Sequence, residues 1–151
     1  LEANKIGVLS STTSNLNSLT DKYKITLFTT EKNNSYDSDN ISNRHLGRLN
    51  FHYPSIDKVY SPEQNTGFIN KYKELYGVVP NTYAIRGFDV TYDVLLRLAS
   101  AEDLYTSIEK EGATQYVENK FEYERRPTGG FQNKAIYIMA YDKDLNQKVV
   151  R

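Results

Sequence analysis

At 151 residues the chain carries 19 basic and 19 acidic side chains, so it has no net charge with which to follow a nucleic-acid backbone or an anionic membrane surface. The absence of cysteine excludes disulfides, thiol nucleophiles and thiolate metal sites, and no apolar run approaches membrane-spanning length. The length suits one α/β domain, residues 1–151, burying about 70% of its unfolded surface, and thirteen tyrosines against no tryptophan make its apolar stock polar-aromatic.

The first element expected is a strand at Lys5 to Ser11, KIGVLSS, a short apolar run ending in small hydroxyl residues. A helix should follow, capped at Ser14 and burying Leu16 and Leu19. The start LEANKIGVLSS lacks the basic and apolar regions of a signal peptide, and a strand so near it is expected of a piece cut from a longer chain. YKITLFTT, Tyr23 to Thr30, repeats the theme as a second strand and gives way to a polar loop. Ile41, His45, Leu46 and Leu49 then stand at helical spacing, and FHYPS resumes an extended run before Pro54. Such alternations in succession predict an α/β fold with a largely parallel sheet flanked by helices.

Ser61 and Gln64 around Pro62 form a capping-box pattern, with the regular helix starting near Thr66. Its apolar face is Phe68, Tyr72, Leu75 and Tyr76, and Gly77 supplies the stop. Tyr83 to Phe88 reads as an extended run that breaks at Gly87 into a strongly amphipathic helix. Phe88, Tyr92, Leu95, Leu96 and Ala99 lie on one side of it and Asp89, Asp93 and Arg97 on the other. A weaker helix covers Leu104 to Lys110. After Gly112 the period changes to two: Val117, Phe121 and Tyr123 alternate with charged residues in a half-exposed strand. PTGG is a turn, Ala135 to Tyr141 is apolar on both faces and belongs inside a sheet, and QKVV closes a set of antiparallel C-terminal strands.

Little in this pattern carries catalysis. His45 and His52 have no second ligand at metal-site spacing, and the calcium-loop-like DSDN at Asp37 has Ser42 and Arg48 where glycine and glutamate are required. No nucleophile elbow, Walker loop or dinucleotide fingerprint occurs, so neither a catalytic residue nor a cofactor or metal is expected. Asp89 reads as a first-turn acid offsetting the helix dipole, and Asp93 as the ion-pair partner of Arg97 four residues on. The functional signal is the hydroxyl-rich end of each expected strand: Ser10, Ser11 and Thr12 after the first, Thr29 and Thr30 after the second. The carboxyl ends of strands in an open α/β sheet are where small ligands bind, although serine and threonine also serve as ordinary loop and cap residues.

FINKYKELYGVVPNTYAIRGFDVTYDVLLRLA resembles a run found in the type I periplasmic-binding-protein fold, specifically its branched-chain amino-acid receptor group: a helix, Tyr-Gly-x-x-Pro, a tyrosine-alanine segment and a Gly-aromatic-Asp helix start. YKITLFTTEKN, LNFHYPS, YAIRGFDVTYDVLLRLASAEDLY, YVENKFEY and GGFQNKAIYI, in this order, resemble more closely the solute-binding-like domain that follows LysM repeats in envelope lipoproteins of Bacteroidetes-type bacteria. The resemblance covers nearly the whole chain but not the LysM repeats. It implies a bacterial cell-envelope location and two α/β lobes around a cleft, this chain being the carboxyl half. Lys5 to Ser55 and Phe131 to Val150 would belong to one lobe and the helices from Thr66 to Lys110 to the other. It also implies that Ser10 to Thr12 face ligand, and that Arg48 lies near where an acidic residue would hold an amino acid's ammonium. With a basic residue there an ordinary amino acid is not the expected ligand, and Arg48 joins the candidate ligand-binding set.

The first functional reading is a non-catalytic solute-binding-like domain that recognises a small polar ligand or peptidoglycan fragment, its hydroxyl residues converging on one pocket. The second is a ligand-free docking module of an envelope lipoprotein in peptidoglycan maintenance, presenting an exposed tyrosine-rich patch to an envelope protein partner or in an oligomer. An enzyme is not expected, nor a nucleic-acid partner.

Overall fold

The computed structural model describes residues 1–59 and 67–150. The capping box at Ser61 and Gln64 and the helix start near Thr66 lie outside them. The chain forms two compact units, Leu1–Lys58 with Tyr137–Arg151, and Val59–Ile136.

The first unit opens on helix α1 (Ile6–Leu19), not on a strand. A short apolar run does not distinguish the two by itself; Leu9, Thr13 and Leu16 stand at helical spacing, and the first two are buried. Residues 25–30 run extended, with Leu27 and Thr29 buried and Thr26, Phe28 and Thr30 exposed, the alternation a strand requires. Their pairing stops at one parallel bridge, Phe28 to His52, flanked by Leu27 N–H to Leu49 C=O (2.9 Å) and His52 N–H to Leu27 C=O (2.8 Å). A 3-10 turn (Asn34–Asp37) and helix α2 (Asn43–Arg48) lead into β1 (His52–Ser55). The sheet is completed by β6 (Tyr137–Tyr141) and β7 (Gln147–Val149) in the order β1-β6-β7, both pairings antiparallel. Central β6 is buried at four of its five positions, as its two-sided apolar run demands. The core is aromatic: Tyr36 stacks on Phe51 at 4.9 Å, Phe51 on Tyr53 at 5.7 Å, with Leu9, Leu46, Leu49 and Met139 around them. Gly47 lets α2 approach the 142–146 turn, since a Cβ there would stand 2.6 Å from the Asp142 carbonyl oxygen.

The second unit contains α3 (Gly67–Tyr76), α4 (Thr82–Ser100) and α5 (Leu104–Glu111). Short hairpin pairs β2 (Thr114–Gln115) with β3 (Lys120–Phe121) and β4 (Tyr123–Arg125) with β5 (Phe131–Asn133) follow. Helix α4 begins far earlier than the apolar stripe suggests, because Asn81 caps it by accepting the Ala84 N–H at 2.9 Å. The expected extended run from Tyr83 is therefore helix, and Gly87 is an exposed mid-helix residue instead of the break at which the helix begins. The PTGG turn forms with Gly129 and Gly130 at φ +95° and +76°, values that glycine adopts without strain.

These small antiparallel sheets replace the largely parallel sheet expected for the carboxyl half of a type I periplasmic-binding-protein fold. Parallel pairing needs consecutive strands joined by crossovers. Here the first expected strand is spent in α1, the second makes a single bridge, and β6 turns back on itself through a hairpin.

Candidate functional site

Helix α4 turns its charges inward. Ile85, Asp89, Asp93 and Arg97, each four residues after the last, form its buried face, and both aspartates are fully buried. Asp89 is well inside the helix, not in its first turn. Its carboxylate accepts the backbone N–H groups of Val117 (3.1 Å), Glu118 (2.9 Å) and Asn119 (2.9 Å) and the Asn119 side-chain amide (2.9 Å). Three successive amides aimed at one anion form a nest. They cannot also serve a ladder, which is why the strand expected from Tyr116 to Arg126 is broken here.

Asp93 accepts from Arg97 Nε (2.9 Å) and from the hydroxyls of Thr114 (2.7 Å), Tyr116 (3.0 Å) and Tyr123 (3.0 Å). The Asp93–Arg97 pair expected from the sequence forms, but in the interior, where its loss of hydration must be offset by these added bonds. Arg97 Nη2 donates to the Gly112 carbonyl (3.1 Å) and to Thr114 Oγ1 (3.2 Å), and the guanidinium lies 5.0 Å from the centre of the Tyr123 ring. Burial, followed by the Asp93 charge, pushes the Tyr123 phenol up to about 12, and burial also raises Tyr116. Both phenols are therefore O–H donors to Asp93 throughout the neutral range.

Elsewhere α4 shows solvent what a helix ordinarily hides. Val90, Tyr92, Leu95, Leu96 and Leu98 are exposed, Leu95 at 58%. Three of the helix's four charged residues are buried, so this surface is nearly free of charge. Stacked and tilted rings continue it: Tyr76 on Tyr72 (4.5 Å), Phe68 on Phe88 (4.0 Å), Phe88 on Tyr92 (5.2 Å). Tyr76, Tyr83 and Tyr105 are more than half exposed.

The sequence-derived ligand residues occupy other places. Ser10, Ser11 and Thr12 lie within α1 and not at a strand end; Ser10 Oγ donates to the Asn40 carbonyl at 2.9 Å, and Ser11 is exposed. Thr29 is buried and donates to the Glu31 carbonyl at 2.9 Å, while the Thr30 N–H donates to Glu2 at 2.7 Å. That N–H bond is the main cause of the lowered pKa of Glu2. Arg48 pairs with Asp21 at 2.5 Å and lines an open depression of about 850 Å³ in the first unit, together with Lys22, Lys24, Lys143 and Lys148. None of the five hydroxyl residues lines it.

A second cavity, about 300 Å³ and mainly apolar, lies in the second unit between α4, α5 and β5, with Arg97 in its wall. Sequence reasoning missed it: the signal, an arginine beside the apolar stripe of α4, is accounted for by the spacing to Asp93. Among the described residues no group of three or more His, Asp or Glu side chains could hold a metal ion, and no helix is long and apolar enough to cross a membrane. His52 Nδ1 lies 2.6 Å from the Asn50 carbonyl oxygen, and its ring packs on Phe28. In comparisons with known proteins, no family model, curated protein or solved structure matches this chain.

Proposed function

We propose that the chain is a non-catalytic docking module of a bacterial envelope protein acting in peptidoglycan maintenance, and that it engages another envelope protein through the outward face of α4. The observation that carries this reading is the inversion of that helix: Asp89, Asp93 and Arg97 inside, Val90, Leu95 and Leu98 outside. A contiguous, nearly uncharged aliphatic and tyrosine surface favours contact with an apolar protein surface, where aromatic rings supply large contact area at small entropic cost. The envelope setting rests on the sequence resemblance. Against the solute-binding reading stands the dispersal of Ser10, Ser11, Thr12, Thr29 and Thr30 between a helix and an internal hydrogen-bond network.

The test is a photo-crosslinking amino acid placed at Leu95, with Glu124 as an exposed control, in chain added to bacterial envelope preparations. The expected result is one dominant protein adduct from position 95 only, competed away by unlabelled chain and lost in the Val90→Lys/Leu98→Glu variant. Equal labelling from both positions would overturn the reading. So would a thermal shift of several degrees with a muropeptide that disappears in Arg48→Ala, since that result belongs to solute binding.

A further inference from the structure

We infer that the cavity between α4, α5 and β5 is a binding site for a small neutral molecule with an apolar body and one carbonyl-type oxygen, which accepts a hydrogen bond from Arg97. The cavity, about 300 Å³, is at the lower end of the range for small-molecule pockets. Val94 of α4, Leu104, Tyr105 and Ile108 at α5, and Phe131 of β5 make its apolar wall, with the Tyr105 and Phe131 rings 5.4 Å apart. Arg97 is the cationic member of the same wall and is 2% exposed.

Two of the three guanidinium nitrogens are occupied, Nε by Asp93 and Nη2 by Gly112 and Thr114. Nη1 is buried and has no acceptor among the described residues. A buried donor without a partner is costly, and the rest of the α4 stripe is thoroughly hydrogen-bonded, which makes this one group an exception that a ligand oxygen, met by a small turn of the guanidinium toward the cavity, would remove.

The charge balance selects the ligand class. Asp93 already neutralises Arg97, so a carboxylate ligand would place a second anion beside Asp93 with one cation between them, leaving an uncompensated buried charge. A ketone, ester or amide oxygen accepts from Nη1 and adds no charge. This site borders the docking face, since Val94 stands one turn from Val90 and Leu98 and Tyr105 is shared, but it does not rest on the docking reading: its occupant is a small molecule and its marker is Arg97.

The experiment titrates three probes of similar shape, 4-phenylbutan-2-one, 4-phenylbutanoate and butylbenzene, into the intact chain, observing the Arg97 side-chain nitrogen signals and the amides of 104–108 by NMR. The ketone is expected to saturate, to shift the Arg97 signals, and to bind about tenfold or more tighter than butylbenzene, the worth of one hydrogen bond to a charged donor. Ile108→Trp, which fills the cavity, should abolish the response while the amide signals of 117–119 stay in place; Leu104→Phe does the same service if that variant does not fold. Tighter binding of the carboxylate, equal affinity for all three probes, no saturable response, or unchanged binding in the filled variant would each overturn the inference.

Discussion

The two units solve the problem of an interior in opposite ways. The first buries what a core is expected to bury, Leu9, Leu46, Leu49, Phe51 and Met139 around stacked rings, and its polar groups serve mainly turns and edges. Among the described residues the second has a small buried apolar cluster, Ile69, Ile85 and Val117 with Phe68 and Phe88 packed against it, and organises its interior round Asp89, Asp93 and Arg97. Hydrophobic surface is forgiving of geometry, whereas a buried carboxylate holds only when its hydrogen-bond partners arrive together. The second unit is thus ordered by a loop wrapped on a helix, while Val90, Leu95 and Leu98 of that helix stay exposed.

This contrast can be broken most severely at Asp93. Asp93→Ala is expected to cost the second unit about 3–5 kcal/mol, because it strands a buried guanidinium, whereas Leu95→Ala two residues away should stay within about 0.5 kcal/mol. Urea titration followed by the amides of 85–97 measures both, and the opposite ranking would mean that α4 packs the other way round. In the first unit, Gly47→Ala should cost about 1–3 kcal/mol by overpacking, since the added Cβ would meet the Asp142 carbonyl oxygen; the same titration read at Leu46 and Tyr141 checks it.

Alkaline pH sharpens the comparison further. The folded-state pKa of Tyr123 lies above the ordinary phenol value near 10, so the stability linked to it is complete below about pH 10 and is lost as pH rises through about 12. Tyr53 and Tyr141 are also raised by burial in the first unit, so that unit too loses stability at alkaline pH, but the Asp93 contribution belongs to the second. Denaturation between pH 9 and 12 should therefore show the second unit weakening above about pH 10, and a smaller alkaline loss in Asp93→Asn, where the charge that opposes ionisation is gone. The smallest effect expected is a gain: Gly87→Ala should stabilise α4 by about 0.5–1 kcal/mol, as no atom lies within 4 Å of the added Cβ. A loss of stability in that variant, seen by thermal denaturation, would place Gly87 in a close contact.

Much of the first unit was legible. The Leu46 helix, the β1 run at FHYPS and the buried β6 carry their own periodicity, and the Asp142 turn joins β6 to β7. KIGVLSS was not, because seven residues of mainly apolar and hydroxyl character satisfy strand and helix alike, and the choice was made by Leu9 and Thr13 packing at helical spacing. In the second unit the helix from Phe88 onward and the Asp93–Arg97 pair are legible in the sequence, but the helix's first turns, expected as an extended run, are not. Which side faced inward was not legible there, because the donors that make the charged side the buried one, Val117 to Asn119, Thr114, Tyr116 and Tyr123, stand some twenty to thirty residues downstream. The Arg97 cavity was hidden for the same reason, since its walls come from three elements.

The inversion of α4 is tested most directly by thiol labelling, which the absence of native cysteine makes unambiguous. Single substitutions Ile85→Cys, Val90→Cys and Leu95→Cys are made in the purified chain at low concentration and their reaction with a thiol reagent is timed. Positions 90 and 95 should react at rates close to those of the denatured chain, and position 85 should be protected by a factor set by opening of the unit. Protection at 95 with fast reaction at 85 would contradict the account.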